Sequence, residues 1–162
     1  MILVTLGTHP QPMDRLIVAL DGLLASGAVD DEIIITGPIC GRQPSLARAL
    51  GIQPYDVLVG WARTATAIVT HGGPASIALA LAAGHSPVIV PRDPAFGEHV
   101  DDHQIRFANW LAERRNVTVV RDMGKLEEAL RGTLSRQANT PLSPPIPVEA
   151  IAHLRSIIVG GR

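Results

Sequence analysis

Aromatic residues make up only 3% of this 162-residue chain, and it holds a single cysteine, Cys40. One thiol excludes a disulfide framework within the chain and points to a reducing compartment. Basic residues are not concentrated anywhere: 14 Lys and Arg stand against 15 Asp and Glu, for a net charge of −1. A nucleic-acid footprint is therefore not indicated. No apolar run is long enough to cross a bilayer, so membrane association has to come through a partner or a surface. The opening "MILVTLGT" lacks a basic leader and turns polar after six residues, which reads as a strand and not as a signal peptide. Two phosphate-binding fingerprints are also missing. No G-x-G-x-x-G follows a strand, and there is no G-x-x-x-x-G-K-[ST], so a standard dinucleotide site and a P-loop are both disfavoured.

What is present is a chain rich in Val, Ile, Leu and Ala, 46% hydrophobic and only 18% charged. That length and composition suit one α/β domain with a substantial core. Strand-length apolar runs alternate with helix-length segments. Strands are predicted at 2–6, 32–36, 67–70, 87–90 and 117–120. Helices are predicted at 13–25, 74–83, 103–114 and 125–135, with a further one capped by Asp56 and running to about 65. Residues 45–50 read as a short helix stopped by Gly51. A Pro-rich stretch, "ANTPLSPPIP", leads to a last helix at 148–159. The division expected is a domain over 1–140 and a connector with a C-terminal helix over 141–162, a candidate docking element.

Near-continuous Val/Ile strands between helices imply a parallel sheet with helices on both faces. Ligands of such sheets sit beyond the carboxyl ends of the strands, at a switch point in strand order. The loops that matter are then "GTHPQP", "GPICGRQP", "THGGPAS" and "PRDPAFGEHVDDHQ".

In "THGGPAS", Gly72 and Gly73 permit positive φ and close backbone approach. Pro74 suits a first helical position, and the helix opens with free N–H groups that favour an anion. Ser76 adds a hydroxyl, and His71 ends the strand at the same point. The outline is a phosphate site; the bland alternative is a tight turn with a buried histidine. The helix after it is apolar nearly all round, so it must be covered on more than one side, by its own sheet or by another subunit. In "GEHVDDHQ", His99 and His103 stand four apart, as metal ligands on a helix do. The glutamate of H-E-x-x-H is absent, and hydrogen bonding of Glu98, His103 and Gln104 to a polyhydroxyl ligand is the favoured reading over a metal site or a solvated loop. Thr8 and His9, in the first loop, face the same cleft.

Three stretches, "LVTLGTHPQPMDRLI", "IVTHGGPASI" and "VPRDPAFGEHVDDHQIRFA", resemble the PssE-type subunits of bacterial exopolysaccharide and capsule synthesis. Those are relatives of the glycosyltransferase family 28 C-terminal domain, as in MurG, and the likeness runs from about residue 1 to 120. The resemblance implies a Rossmann-like domain equivalent to the C-terminal half of a GT-B glycosyltransferase. It implies binding of a UDP-sugar donor, inversion at the anomeric centre and no bound metal or other cofactor. The implied partner is a membrane-associated PssD-like subunit carrying the other half and a lipid-linked glycan acceptor. The chain would then be cytoplasmic and recruited to the inner face of the membrane through that partner; a homo-oligomer is compatible with the sequence.

Matched residue by residue, His71, Gly72, Gly73 and Ser76 fall on the diphosphate turn, and Gly7 and Thr8 on the first loop beside it. Pro54 and Tyr55 fall on the uracil contacts, and His103 and Gln104 on the pair that touches the donor sugar. The family's ribose-binding glutamate aligns with Leu79, which cannot hydrogen-bond a ribose; Glu98, across the cleft, is the candidate replacement. A general base would come from the missing half, with His9 the local candidate. The alternative is a non-catalytic stabilising subunit that has lost donor binding.

Overall fold

The computed structural model describes residues 1–139, with side chains to 136. Six strands form one parallel sheet: β1 (Ile2–Thr5), β2 (Ile33–Thr36), β3 (Arg48–Ala49), β4 (Ala67–Thr70), β5 (Val88–Ile89) and β6 (Thr118–Val119). Their order across the sheet is β3-β2-β1-β4-β5-β6. Five helices connect or follow them: α1 (Asp14–Ala25), α2 (Tyr55–Thr64), α3 (Pro74–Ala82), α4 (His103–Ala112) and α5 (Leu126–Asn139). This is the Rossmann-like arrangement, in which chain direction along the sheet reverses between β1 and β4.

Strand alternation decides the layers. Ile2 and Val4 of β1, Ile33 and Ile35 of β2 and Val69 of β4 point to one face, where they meet Leu16, Ile17 and Leu20 of α1 and Leu126 and Leu130 of α5. Leu3 and Ile68 point to the other face, against Ala62 of α2 and Leu79 and Ala80 of α3. Ile89 continues that layer with Ile77 of α3 and Ala108 and Leu111 of α4. β1 is wholly buried, and each such Leu or Ile contributes about 1.5–3 kcal/mol by leaving water.

These layers also account for the apolar helix. Ile77 packs toward α4 while Leu79 and Ala80 pack toward α2 and the sheet, so α3 is covered by its own domain and needs no second subunit. It ends at a left-handed glycine: Gly84 has φ 87°, its N–H donates to Leu81, and the N–H of His85 donates to Ala80.

Two local expectations are corrected. Residues 45–50 hold the edge strand β3, not a helix. The Asp21 carboxylate of α1 accepts the successive N–H groups of Ser45, Leu46 and Ala47 at 2.7, 3.0 and 3.2 Å. That draws the segment alongside β2, where Arg48 and Ala49 pair with Ile34 and Ile35. Nor does Asp56 cap α2. The helix starts two residues earlier, at Tyr55 after Pro54, and Asp56 lies inside its first turn. The Pro-rich connector and the helix expected at 148–159 lie outside the described residues. Among the described residues no helix is long and apolar enough to cross a membrane.

Candidate functional site

A cleft of about 280 Å³ opens at the carboxyl edge of the sheet, where the order reverses. Its floor is the end of β1 and β2 with Thr5, Thr36 and Gly37. One wall is the start of α3, from Gly73 to Ser76, with Leu79 one turn on. The other is the approach to α2, with Ile52, Gln53, Tyr55 and Leu58. Gly7 and Thr8 from the first loop, and His71 from the end of β4, complete it. Ile52 and Tyr55 are 64% and 66% exposed, an open apolar shelf at the mouth.

His71 occupies the back of this cleft and is buried. Its Nδ1 lies 3.2 Å from the Thr5 carbonyl oxygen. A carbonyl can only accept, so Nδ1 carries the proton and Nε2 carries a lone pair. A methyl group placed on Gly7 or Gly73 would overlap the Nε2 corner of the ring. Gly7 needs its freedom besides, at φ 73°. The expectation that Gly72 and Gly73 supply positive φ is not met; Gly73 sits at φ −77°, ψ 130°, open to any residue. What these glycines give is room: Gly73 for the imidazole, Gly72 for the Gln104 side chain and Pro91.

Burial lowers the His71 pKa to about 4, helped by the positive charge of Arg92 and by His9 and His99, and opposed by the Thr5 carbonyl. The imidazole is therefore neutral at neutral pH. Thr5 also leaves its buried Oγ1 without a partner on the same floor. Helix α3, nine residues long, opens beside it with Pro at N1 and no side-chain cap. A free helix N-terminus, the Nε2 lone pair of His71 and the unpartnered Thr5 Oγ1 thus lie at one cleft, an arrangement suited to an anion with hydroxyl-bearing neighbours.

Of the residues expected at the site, Gly7, Thr8, Tyr55, His71, Gly73 and Ser76 line this cleft together. Pro54 is not among the lining residues; it immediately precedes α2, and Gly72 is turned toward Gln104. Glu98, His103, Gln104 and His9 form a second group outside it.

Glu98 is the clearest departure. Its carboxylate is 2% exposed and is taken by Arg15, at 2.9 Å on both oxygens, and by the Asp93 N–H at 3.0 Å. It is not placed to replace a ribose-binding carboxylate. Leu79 itself lines the cleft, so no acidic side chain stands on the α3 wall. Gln104 is buried and accepts the Arg92 N–H at 3.2 Å. His103 is exposed and its Nδ1 meets Asp101. His9 stacks on His99 with ring centroids 4.9 Å apart, and His99 meets His103 edge-on at 4.6 Å. Burial, then His103, holds His99 below the usual histidine pKa. Ligand atoms of His99, Asp101 and His103 lie within 4.8 Å of one another, close enough to share an ion.

Sequence reading missed Arg92. It is fully buried, and its guanidinium donates to the carbonyls of Leu6 (3.0 Å), His9 (3.3 Å), Glu98 (3.2 Å) and Gln11. One side chain thereby pins the first loop to the loop after β5. The only early signal was an arginine just past a buried strand and a proline, in "VIVPRD".

The fold and this cleft define a Rossmann-like domain with an uncapped helix N-terminus facing a cleft at its switch point. The sequence matches the glycosyltransferase family 28 C-terminal domain over residues 1–144, and the chain belongs to that family. Its architecture is that of the C-terminal half of a GT-B glycosyltransferase. Among solved structures it is similar to the glycosyltransferase SnogD from Streptomyces nogalater, at 22% identity and TM-score 0.49, over 96% of this chain and 42% of that one. It is similar also to Acinetobacter baumannii MurG, at 16% identity and TM-score 0.47, over 84% of this chain and 41% of that one. A third likeness is to EarP, from a structure describing arginine glycosylation of elongation factor EF-P, at 16% identity and TM-score 0.40, over 99% and 61%. The chain thus spans about two-fifths of the length of the first two. No curated protein matches.

Proposed function

We propose that this chain binds the UDP-sugar donor of an inverting glycosyltransferase. The diphosphate lies against residues 72–76 at the start of α3, and the pyrimidine lies on the shelf of Ile52 and Tyr55. The observation that carries this reading is His71: a buried imidazole with no partner at Nε2, set beside an uncapped helix N-terminus where the strand order reverses. Transfer would rest on stabilising the leaving diphosphate by the helix N–H groups, with no bound metal required.

The acceptor half is assigned to a second, membrane-associated PssD-like subunit that presents a lipid-linked glycan, in exopolysaccharide or capsule synthesis. The likeness of the three quoted stretches to PssE-type subunits supports that pairing. One observation favours the alternative of a stabilising subunit without donor binding: Leu79 stands where a ribose-binding carboxylate is expected, and Glu98 is spent on Arg15.

Calorimetry separates the two. UDP should bind, and His71→Ala or Ser76→Ala should each weaken it by roughly 1.5–3 kcal/mol, the worth of a hydrogen bond to a charged group. Wild-type affinity in both variants would remove the site assignment. Absence of UDP binding by the chain together with its partner would establish the stabilising role.

A further inference from the structure

The cleft has an unbalanced charge. A nucleotide diphosphate diester brings two negative charges, yet none of the described residues lining the cleft is Lys or Arg. The start of α3 offers N–H groups and roughly half a positive charge. The remaining group able to become cationic there is His71.

Its tautomer is set by geometry. Nδ1–H is committed to the Thr5 carbonyl, and Gly7 and Gly73 are shaped around the Nε2 corner. Flipping the ring, which exchanges Nδ1 with Cδ2, would break the Thr5 bond. The neutral ring therefore turns a lone pair toward the cleft, and a lone pair repels a phosphate oxygen. A proton on Nε2 reverses this, giving a charge-assisted donor while leaving the Thr5 bond intact.

The charged and titratable groups around the ring come from three directions. Arg92 approaches from the end of β5, His9 from the first loop and His99 from the loop before α4; all three oppose a second positive charge, and the Thr5 carbonyl favours it. Helix α3 carries no charged side chain. In the free protein this balance, with burial, keeps the ring neutral. A diphosphate reverses the balance by placing two negative charges against it.

We infer that donor binding and protonation are coupled: the diphosphate enters with one proton drawn from solvent, which settles on Nε2 of His71. The inference rests on the diphosphate reading of the cleft. It gives the site a functional property that a permanently charged lysine would not have. Without the anion the imidazole stays uncharged, and the cation appears only with the anion. When the sugar departs, the diphosphate gains negative charge, and the proton is already in place to meet it.

The probe is the β-methyl ester of UDP. It is a diester without a sugar to be rejected, and it lacks the terminal phosphate of UDP, which titrates near pH 6. Titration calorimetry at pH 6, in two buffers of different ionisation enthalpy, reads the protons taken up per ligand. The expected result is close to one. Affinity should fall about tenfold per pH unit from pH 5 up to the pH at which bound His71 titrates. His71→Gln places an amide N–H near Nε2; it should bind with uptake near zero and a flat pH profile. The 15N shift of His71 Nε2 in the wild-type protein should move from the unprotonated to the protonated range on adding the ester. Saturable binding without proton uptake, or uptake undiminished in His71→Gln, overturns the coupling and leaves the site standing. No binding at any pH removes the diphosphate reading and the coupling with it.

Discussion

His71 shows how one residue joins stability to recognition. It is held neutral by burial, so its folded pKa of about 4 lies below the ordinary 6.5. The unfolded chain then takes up a proton first as pH falls. The sign follows: this contribution to stability is complete above pH 6.5, declines as pH drops, and stops declining below about pH 4. The full span is worth about 3 kcal/mol, at 1.36 kcal/mol per pK unit. In urea denaturation, wild-type protein moved from pH 7.5 to 4.5 should lose about 2 to 3 kcal/mol more than His71→Gln does. Equal losses in the two proteins would show that His71 titrates freely. Gly73 belongs to the same unit: its φ and ψ suit any residue, and glycine is required by the imidazole behind it.

Among the elements, β3 is the one built by a side chain rather than by its own residues. Its two residues carry no strong strand signal, and the stretch before them reads as helical. Burial pushes the Asp21 carboxyl up, but the three N–H groups of Ser45, Leu46 and Ala47 together outweigh it, and the net shift is downward. The carboxylate is thus held ionised by the loop it organises. Asp21→Asn replaces an acceptor oxygen with an NH2 group facing donors. It should cost about 1–3 kcal/mol at neutral pH. Amide exchange at residues 45–50 should quicken before that at β1 or β4 does; uniform quickening across the sheet would mean that Asp21 supports the whole core instead. Helix α3 teaches the converse lesson. Its all-round apolarity invited a partner, and the covering surfaces proved to be α2, α4 and the sheet.

At the scale of the molecule, the sheet brings the ends of β1, β2 and β4 together and opens one cleft between them and α2. A GT-B active site lies between two such halves, and the described residues form one of them. On the proposed two-subunit reading, the chain supplied with UDP-sugar and lipid-linked acceptor should form no glycoside, and product should appear when a membrane-associated partner subunit is added. Turnover by the pure chain would refute the two-subunit reading. The exposed shelf of Ile52 and Tyr55 and the exposed end of the histidine row, His103 with Asp101, border the edge that such a half would face.

The sequence by itself determined the alternation of strands and helices, the two-sided burial of the sheet, and the turn after β4 as a helix start opened by proline. These are local or periodic properties: hydrophobic spacing, a proline at a helix start, a glycine at a helix end. Only the tertiary structure decided which of the candidate residues share a cleft. Glu98 read as a free acid because Arg15, its partner, lies 83 positions away in the chain. Gly72 and Gly73 read as flexible because the rings and side chains they make room for come from other segments. Arg92 went unseen because its partners are four backbone carbonyls, which no sequence displays. A residue's chemistry here depends on what is packed against it, and that is set by chain segments meeting across the sheet.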